Sequence, residues 1–273
     1  MCENTSANLI HIVPSFDFSF VVITRNNPSE FSKTIKSIDE EAPSNSELVV
    51  VDGNDQPYGI EYLKRVITNH DISINYFLDE KKGIFFAQNS GVLQSQGKWI
   101  IVINAGDFLN TGTKKLLISI REEIVDAVIF AQVAIEISGK PVYKFTPTES
   151  TVWPHQSVVL KRSVYEKYGI YPTDKPYSSD IVFFAKVRKL IIYKFRSEVL
   201  TSYLLGGMSS QISYKRSVEH FKEYRTQELG LFTAILKSFI SPVIRYLMER
   251  SALLRPLTYY LKILIYPYYS KPS

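Results

Sequence analysis

The stretch Tyr76–Leu109, YFLDEKKGIFFAQNSGVLQSQGKWIIVINAGDFL, decides the fold. Within it, Lys98–Ile103 (KWIIVI) is a short, almost uninterrupted apolar run rich in β-branched residues. Such a run reads as a strand buried on both faces, as in a parallel sheet. It stops at Asn104-Ala105-Gly106-Asp107, a polar, glycine-containing turn with one carboxylate. That turn lies at the carboxyl end of the strand, where open α/β sheets bind ligands. Upstream, Gly83–Gly91 (GIFFAQNSG) carries apolar residues at helical spacing and ends on a glycine suited to a C-cap.

The same alternation extends in both directions. Phe18–Thr24 (FSFVVIT) is a first strand, followed by Arg25-Asn26-Asn27-Pro28, where proline stops the strand and opens a helix. Phe31, Ile35 and Ile38 continue at helical spacing, and Leu48–Val51 is a second buried strand ending at Asp52-Gly53-Asn54-Asp55. Strand, helix, strand over this distance is a βαβ unit with a right-handed crossover. A helix at Tyr62–Ile67 and a third strand at Ile72–Phe77 lead to the basic turn Lys81-Lys82-Gly83. Downstream come a helix over Thr113–Ile124, one or two strands over Ala127–Ile137, and the segments Val158–Leu160 and Lys161–Tyr168. Ser178-Ser179-Asp180 then opens the apolar helix Ile181–Phe184, and Val199–Leu205 is a last strand. The pattern predicts an α/β fold with a mostly parallel central sheet and helices on both faces.

A chain of 273 residues suits one large α/β domain plus an appendage and buries a substantial core. The net charge of +5 comes without basic clusters or a recognisable reading module, which argues against a nucleic-acid partner. The excess is either a solvated basic surface or an attraction to anionic lipid or pyrophosphate. The single cysteine, Cys2, excludes an internal disulfide framework and a cysteine zinc site, and fits a reducing cytoplasm. The first residues lack the basic and apolar regions of a signal peptide and read as a short leader with an edge strand at Leu9–Val13.

These motifs resemble family 2 glycosyltransferases, the inverting, nucleotide-sugar-dependent enzymes of the GT-A (Rossmann-like) fold. KKGIFFAQNSG and GKWIIVINAGD stand where members building capsule, O-antigen and colanic-acid sugars carry runs like DKGIYDAMNKG and GxYIxFLNSGD. FVVITRNN and VVVDGNDQPYG are similar to the family's SIITxxRN and VVDGxSxDGT. The resemblance covers residues 18 to about 215, with its motifs in the expected order.

The resemblance implies a donor pocket built from Thr24, Arg25, Asn26, Asp52, Asp55, Lys82, Gly83, Asn89, Asn104, Ala105, Gly106, His155 and Gln156. In it, Asp52 accepts hydrogen bonds from the nucleoside, Lys82-Gly83 lies beside the nucleotide, and Asn89 faces the donor. Asn104–Asp107 occupies the place of the DxD metal motif, which holds Mn²⁺ or Mg²⁺ against the donor diphosphate. Asn104 and Gly106 replace two of its usual residues, so Asp107 is the remaining anionic ligand and weak metal affinity is expected. His155-Gln156 with Arg162, Tyr165 and Gly169 is similar to the family's HQxxFxxRxxYxxxG segment, and Asp180 falls where the catalytic base stands. Gly206-Gly207-Met208-Ser209-Ser210 matches GGxSS, a loop able to close over donor phosphates.

Residues 1–217 are therefore expected to form the catalytic domain and 218–273 a helical appendage. In the tail, Leu231, Phe232, Ile235, Leu236, Phe239, Ile240, Val243, Ile244 and Leu247 fall at helical spacing, and Leu253–Tyr269 forms a second, Tyr-rich segment. Neither is an uninterrupted run of about 20 apolar residues, so amphipathic helices are expected rather than a span. They would lie on the cytoplasmic face of a membrane, reaching a polyisoprenyl-diphosphate-linked glycan acceptor, or pack on the domain or join two copies. A non-catalytic scaffold retaining the fold is the alternative reading. A nucleotidyltransferase is a third, but it would need a glycine-rich basic loop where RNNPSEF stands.

Overall fold

The computed structural model describes residues 14–136, 139–149, 152–205, 213–226, 230–243, 246 and 269–270. Cys2, the expected strand at Leu9–Val13, the Gly206–Ser210 loop and, in the tail, residues 227–229, 244–245, 247–268 and 271–273 lie outside the described residues. Strands β1 (Phe16–Thr24), β2 (Ser46–Asp52), β3 (Ile72–Leu78) and β4 (Gly97–Asn104) form the parallel half of a ten-stranded sheet, in the order β3-β2-β1-β4. β1, β2 and β4 carry largely continuous apolar runs because both faces are covered, whereas β3, at the edge, is only partly buried. Phe18, Phe20, Val22, Leu48, Val50 and Ile101 pack with Phe31, Ile35 and Ile38 of α1 (Pro28–Glu41), Leu63 of α2 (Ile60–Val66) and Leu117 of α4 (Thr113–Ile120). The alternate residues Val21, Val49, Ile100 and Val102 belong to the opposite core, with Phe85 and Val92 of α3 (Ile84–Gln94), Val164 of α5 (Arg162–Tyr168) and Phe183 and Val187 of α6 (Ser179–Val187).

Beyond β4 the sheet is mixed rather than mostly parallel. The next strand, β8 (Val158–Lys161), is antiparallel to both β4 and β6 (Ala127–Ile135), and β7 (Pro141–Phe145) and β10 (Tyr269–Ser270) follow. A last strand, β9 (Tyr193–Leu204), runs parallel to β6 and pairs with the short β5 (Phe108–Leu109). It begins well before Val199 because Tyr193 and Phe195 alternate with Lys194 and Arg196, and both rings pack edge-on against Trp153. Tyr269, expected to end a helical segment, is in β10, opposite Phe145.

α3 does not stop at Gly91 but continues to Gln94. A Cβ at Gly91 would come within 2.3 Å of Val21 Cγ1, so this glycine serves close helix–sheet approach rather than capping. At the C-terminal side, α7 (Tyr214–Thr226) contains the expected boundary between residues 217 and 218. It is followed by α8 (Leu231–Ile235) and a π-helical turn, Leu236–Ile240. Tyr224, Ala234 and Phe221 pack with Ile181 of α6, and of the expected amphipathic stripe Phe239 meets the Phe221 ring at 6.0 Å, while Leu231 and Phe232 are exposed. No helix among the described residues is long and apolar enough to cross a membrane.

Candidate active site

Parallel pairing puts the carboxyl ends of β3, β2, β1 and β4 on one edge, and with them the turns at Asp79–Lys82, Asp52–Asp55, Thr24–Asn26 and Asn104–Asp107. The first three turns are laced together by side chains. Asn26 Nδ2 donates to Asp55 Oδ2 at 2.9 Å, Asn26 Oδ1 accepts from the Asp55 N–H at 3.0 Å, and the Asn26 N–H donates to Asn54 Oδ1. Lys81 Nζ reaches Asp55 Oδ1 at 3.0 Å and, with Asn26, holds its carboxyl below the usual carboxylate range. Lys81 was not among the expected site residues. Lys82, which was, is exposed and pairs with Glu80, away from this lacing.

Asp52 is buried and its carboxylate is already occupied. Oδ1 accepts from the Asn54 N–H at 2.8 Å, while Oδ2 accepts from the Tyr58 N–H at 2.9 Å and the Tyr76 hydroxyl at 2.6 Å. Its place in the structure is to hold the loop Gly53–Tyr58, whose Tyr58 ring stacks on Phe31 at 4.7 Å. Burial and the hydrogen bond to Asp52 push the Tyr76 hydroxyl up to about 12, so it remains the donor. Asp52→Ala is expected to strand these three donors and to cost about 3 kcal/mol of stability, read by urea unfolding. Asn89 is likewise engaged internally: its amide donates to the Tyr171 carbonyl at 2.8 Å and accepts from the Tyr171 N–H at 3.0 Å. It therefore anchors the loop before α6 instead of presenting its amide to the strand ends.

The β4 turn is fixed by α1. Thr34 Oγ1 accepts from the Gly106 N–H at 3.0 Å and donates to the Asp107 carbonyl at 2.7 Å. Gly106 has φ 107°, a conformation that favours glycine, which explains why the middle residue of the motif is not an acid here. Asn104 sits between two partners: its Oδ1 accepts from Gln88 Nε2 at 3.1 Å, and its Nδ2 lies 3.0 Å from His155 Nε2. On the other side of the ring, His155 Nδ1 lies 3.5 Å from Asp180 Oδ2. With Nε2 accepting from Asn104, the ring carries a proton on Nδ1, on the side of the Asp180 carboxylate. A chain Gln88–Asn104–His155–Asp180 thus joins α3, the β4 turn and α6.

The antiparallel register explains how distant residues meet there. Ile100 lies opposite Leu160, and continuing that register carries His155 to the level of Ala105. The short turn His155–Ser157 presents both members of the pair, with Gln156 Nε2 donating to Asp107 Oδ2 at 3.1 Å. Asp180 stands in the first turn of α6, whose Phe183 and Phe184, three and four residues on, lock into the aromatic core around Tyr165 and Tyr171.

Asp107 is 7% exposed, and burial raises its carboxyl to about 6 against the opposing effects of His155, Gln156 and backbone donors. An anionic group so placed favours a cation. Among the described residues no group of three or more His, Cys, Asp or Glu is gathered to hold a metal. A single buried carboxylate therefore fits an ion shared with substrate phosphates, as Mg²⁺ is commonly bound, and does not fit a resident metal cage.

The sequence profile of Glycosyl transferase family 2 matches residues 19–186, more than half of the chain. The chain belongs to glycosyl transferase family 2. Its fold agrees: TarS 1–349 of S. aureus in complex with UDP superposes with a TM-score of 0.59 at 15% identity, covering 90% of this chain and 87% of that one. The mannosyltransferase PcManGT from Pyrobaculum calidifontis, in complex with GDP-Man and Mn²⁺, gives 0.60 at 14% identity over 94% and 84%. TarS 1–349 with UDP-GlcNAc gives 0.59 at 14% identity over 88% and 78%. No curated protein sequence matches the chain. The family match ends at residue 186, so it spans β1 to α6 with the whole Asn104–His155–Asp180 constellation, and leaves α7 and the tail outside.

Proposed function

We propose that this family 2 glycosyltransferase transfers a sugar from a nucleoside-diphosphate donor to a hydroxyl of a glycan acceptor with inversion, Asp180 acting as the base. The observation that carries this reading is the alignment of Asp180 by His155 and Asn104 with the turn bearing Asp107. In the proposed step the acceptor oxygen attacks the anomeric carbon, its proton passes to Asp180, and the bond from that carbon to the diphosphate breaks, releasing the nucleoside diphosphate. His155 Nδ1–H orients the Asp180 carboxylate, and one base suffices, unlike the two-acid arrangement of glycosidases.

The donor lies over the strand ends. Asp55, Asn26, Arg25 and Gly83 line the nucleoside side through the laced loops, and Asp52 contributes by holding Gly53–Tyr58 in place. Asp107 would hold Mn²⁺ or Mg²⁺ together with the diphosphate, and the ion, when bound, supplies counter-charge to the leaving nucleotide. Support for such donors comes from structural neighbours solved with UDP, UDP-GlcNAc and GDP-Man. The acceptor we favour is a polyisoprenyl-diphosphate-linked oligosaccharide of a bacterial surface polysaccharide. The exposed Leu231 and Phe232 would then rest on the cytoplasmic face of the membrane, with residues beyond α6 as the appendage.

Thermal-shift titration with UDP, GDP, dTDP and CMP, each with and without Mn²⁺, tests the donor side. A ligand bound only by the native state raises the melting temperature by mass action. One nucleotide is expected to stabilise the chain, and more so with Mn²⁺. Stabilisation by a nucleotide without transfer to any of a broad acceptor panel would favour the scaffold reading. No shift with any nucleotide would count against donor binding altogether.

A further inference from the structure

α7 grips the start of α6, the helix that carries Asp180. Ser178 is the N-cap residue of α6 by position, yet its side chain makes no cap bond to its own helix. Its hydroxyl donates instead to Glu219 Oε1 at 2.6 Å, and the Tyr177 N–H donates to the same oxygen at 2.9 Å. A carboxylate from another helix thus stands at the amino end of α6, where the helix dipole favours negative charge. One residue on, His220 Nε2 lies 2.7 Å from the Tyr177 carbonyl, so this ring nitrogen donates to it. Glu223 pairs with Lys175 at 2.8 Å, and the Arg216 guanidinium covers the Tyr177 ring at 5.5 Å.

Residues 216, 219, 220 and 223 share one face of α7, at spacings that place side chains on successive turns together. Alongside these bonds, a cavity of about 400 Å³ lies between α6 and α7, lined by Val182, Lys186, Leu190, Glu223 and Thr226 among others. Apolar packing between the two helices is therefore incomplete on this side. The polar bonds concentrate at the end of α6 that carries the proposed base.

We infer that Glu219, assisted by His220, is a positioning residue that sets Asp180 against His155, so that α7 controls turnover from outside the family-matched region. This rests on Asp180 being the base. A displacement of the order of 1 Å in a reacting group costs on the order of 10²-fold in rate. Glu219→Ala is expected to lower kcat on the order of 10- to 100-fold with the donor KM unchanged. Glu219→Gln, whose amide oxygen accepts the same two bonds, is expected to restore most of the rate.

The deciding measurement is a double-mutant cycle read as kcat, with melting temperatures confirming that each variant is folded. A residue that acts through Asp180 should leave the residual rate of Asp180→Asn unchanged when Glu219→Ala is added. If Asp180→Asn is inactive while Glu219→Ala matches wild type, the positioning role is overturned and the base survives. The same holds if Glu219→Ala lowers both backgrounds by one factor, or if Glu219→Gln is as slow as Glu219→Ala. Near-wild-type turnover of Asp180→Asn would instead remove the base assignment, and the positioning role with it.

Discussion

Asp180→Asn is expected to lower kcat by about 10²- to 10⁴-fold, the range supplied by a positioned general base. The change is nearly isosteric. The amide oxygen can keep the Ile181 N–H that now reaches Asp180 Oδ1 at 2.9 Å, and the amide NH2 then takes the place of Oδ2 beside His155. What is lost is the ability to take a proton from the acceptor hydroxyl. Donor KM and nucleotide-induced thermal shifts should therefore stay near wild type, separating this variant from one that damages the donor pocket. Steady-state kinetics with an excess of acceptor would show it, and a kcat within a few-fold of wild type would remove Asp180 from the mechanism.

Asp107→Asn should move activity and stability in opposite directions. Its carboxyl is raised to about 6 in the folded protein against an ordinary value of 3.8, chiefly because burial penalises the charged form. The native state thus gains relative to the unfolded chain below about pH 4, where both bind the proton. That gain is lost as pH rises towards 6, and above it the charged group costs about 3 kcal/mol. In EDTA, Asp107→Asn should accordingly be more stable than wild type at pH 7.5 by up to about 3 kcal/mol, and no more stable at pH 4. The neutral side chain can keep the bond that Gln156 now gives to Oδ2. Transfer should nevertheless collapse, and Mn²⁺ should no longer add to the thermal shift given by the preferred nucleotide. In wild type that added shift should be larger at pH 7.5 than at pH 5, because a carboxylate must lose its proton to bind a cation. Equal Mn²⁺ shifts in wild type and Asp107→Asn would show that the ion is held elsewhere.

Much of the fold is legible in local pattern. Apolar runs such as LVVV and WIIVI are committed to burial on both faces, and that is enough to place β1, β2 and β4 with their helices. The first half of β9 carries only a short alternation, Tyr193–Arg196, that does not stand out beside such runs, and Trp153 packing against Tyr193 and Phe195 marks its inner face. Gly91 looks like a helix end because a glycine's reason is local in sequence but here lies across space, in the Val21 side chain. Glu47 is completely buried within β2, where Ser19, Asn75 and the Gly97 N–H satisfy it from neighbouring chain segments.

The sequence by itself determined the family-like order of motifs and the identities of the acids at the strand ends, since these depend on residue type and local periodicity. Which of those residues face one another was decided only in three dimensions. Antiparallel pairing of β8 with β4 brings His155 to Asn104, and the docking of α6 brings Asp180 to His155. The same packing turned Asp52 and Asn89 inward, because a buried carboxylate or amide takes the nearest backbone donors and acceptors. Hydrogen bonds between residues dozens of positions apart leave no periodic trace in a sequence, and the Glu219 grip on α6 is another of that kind.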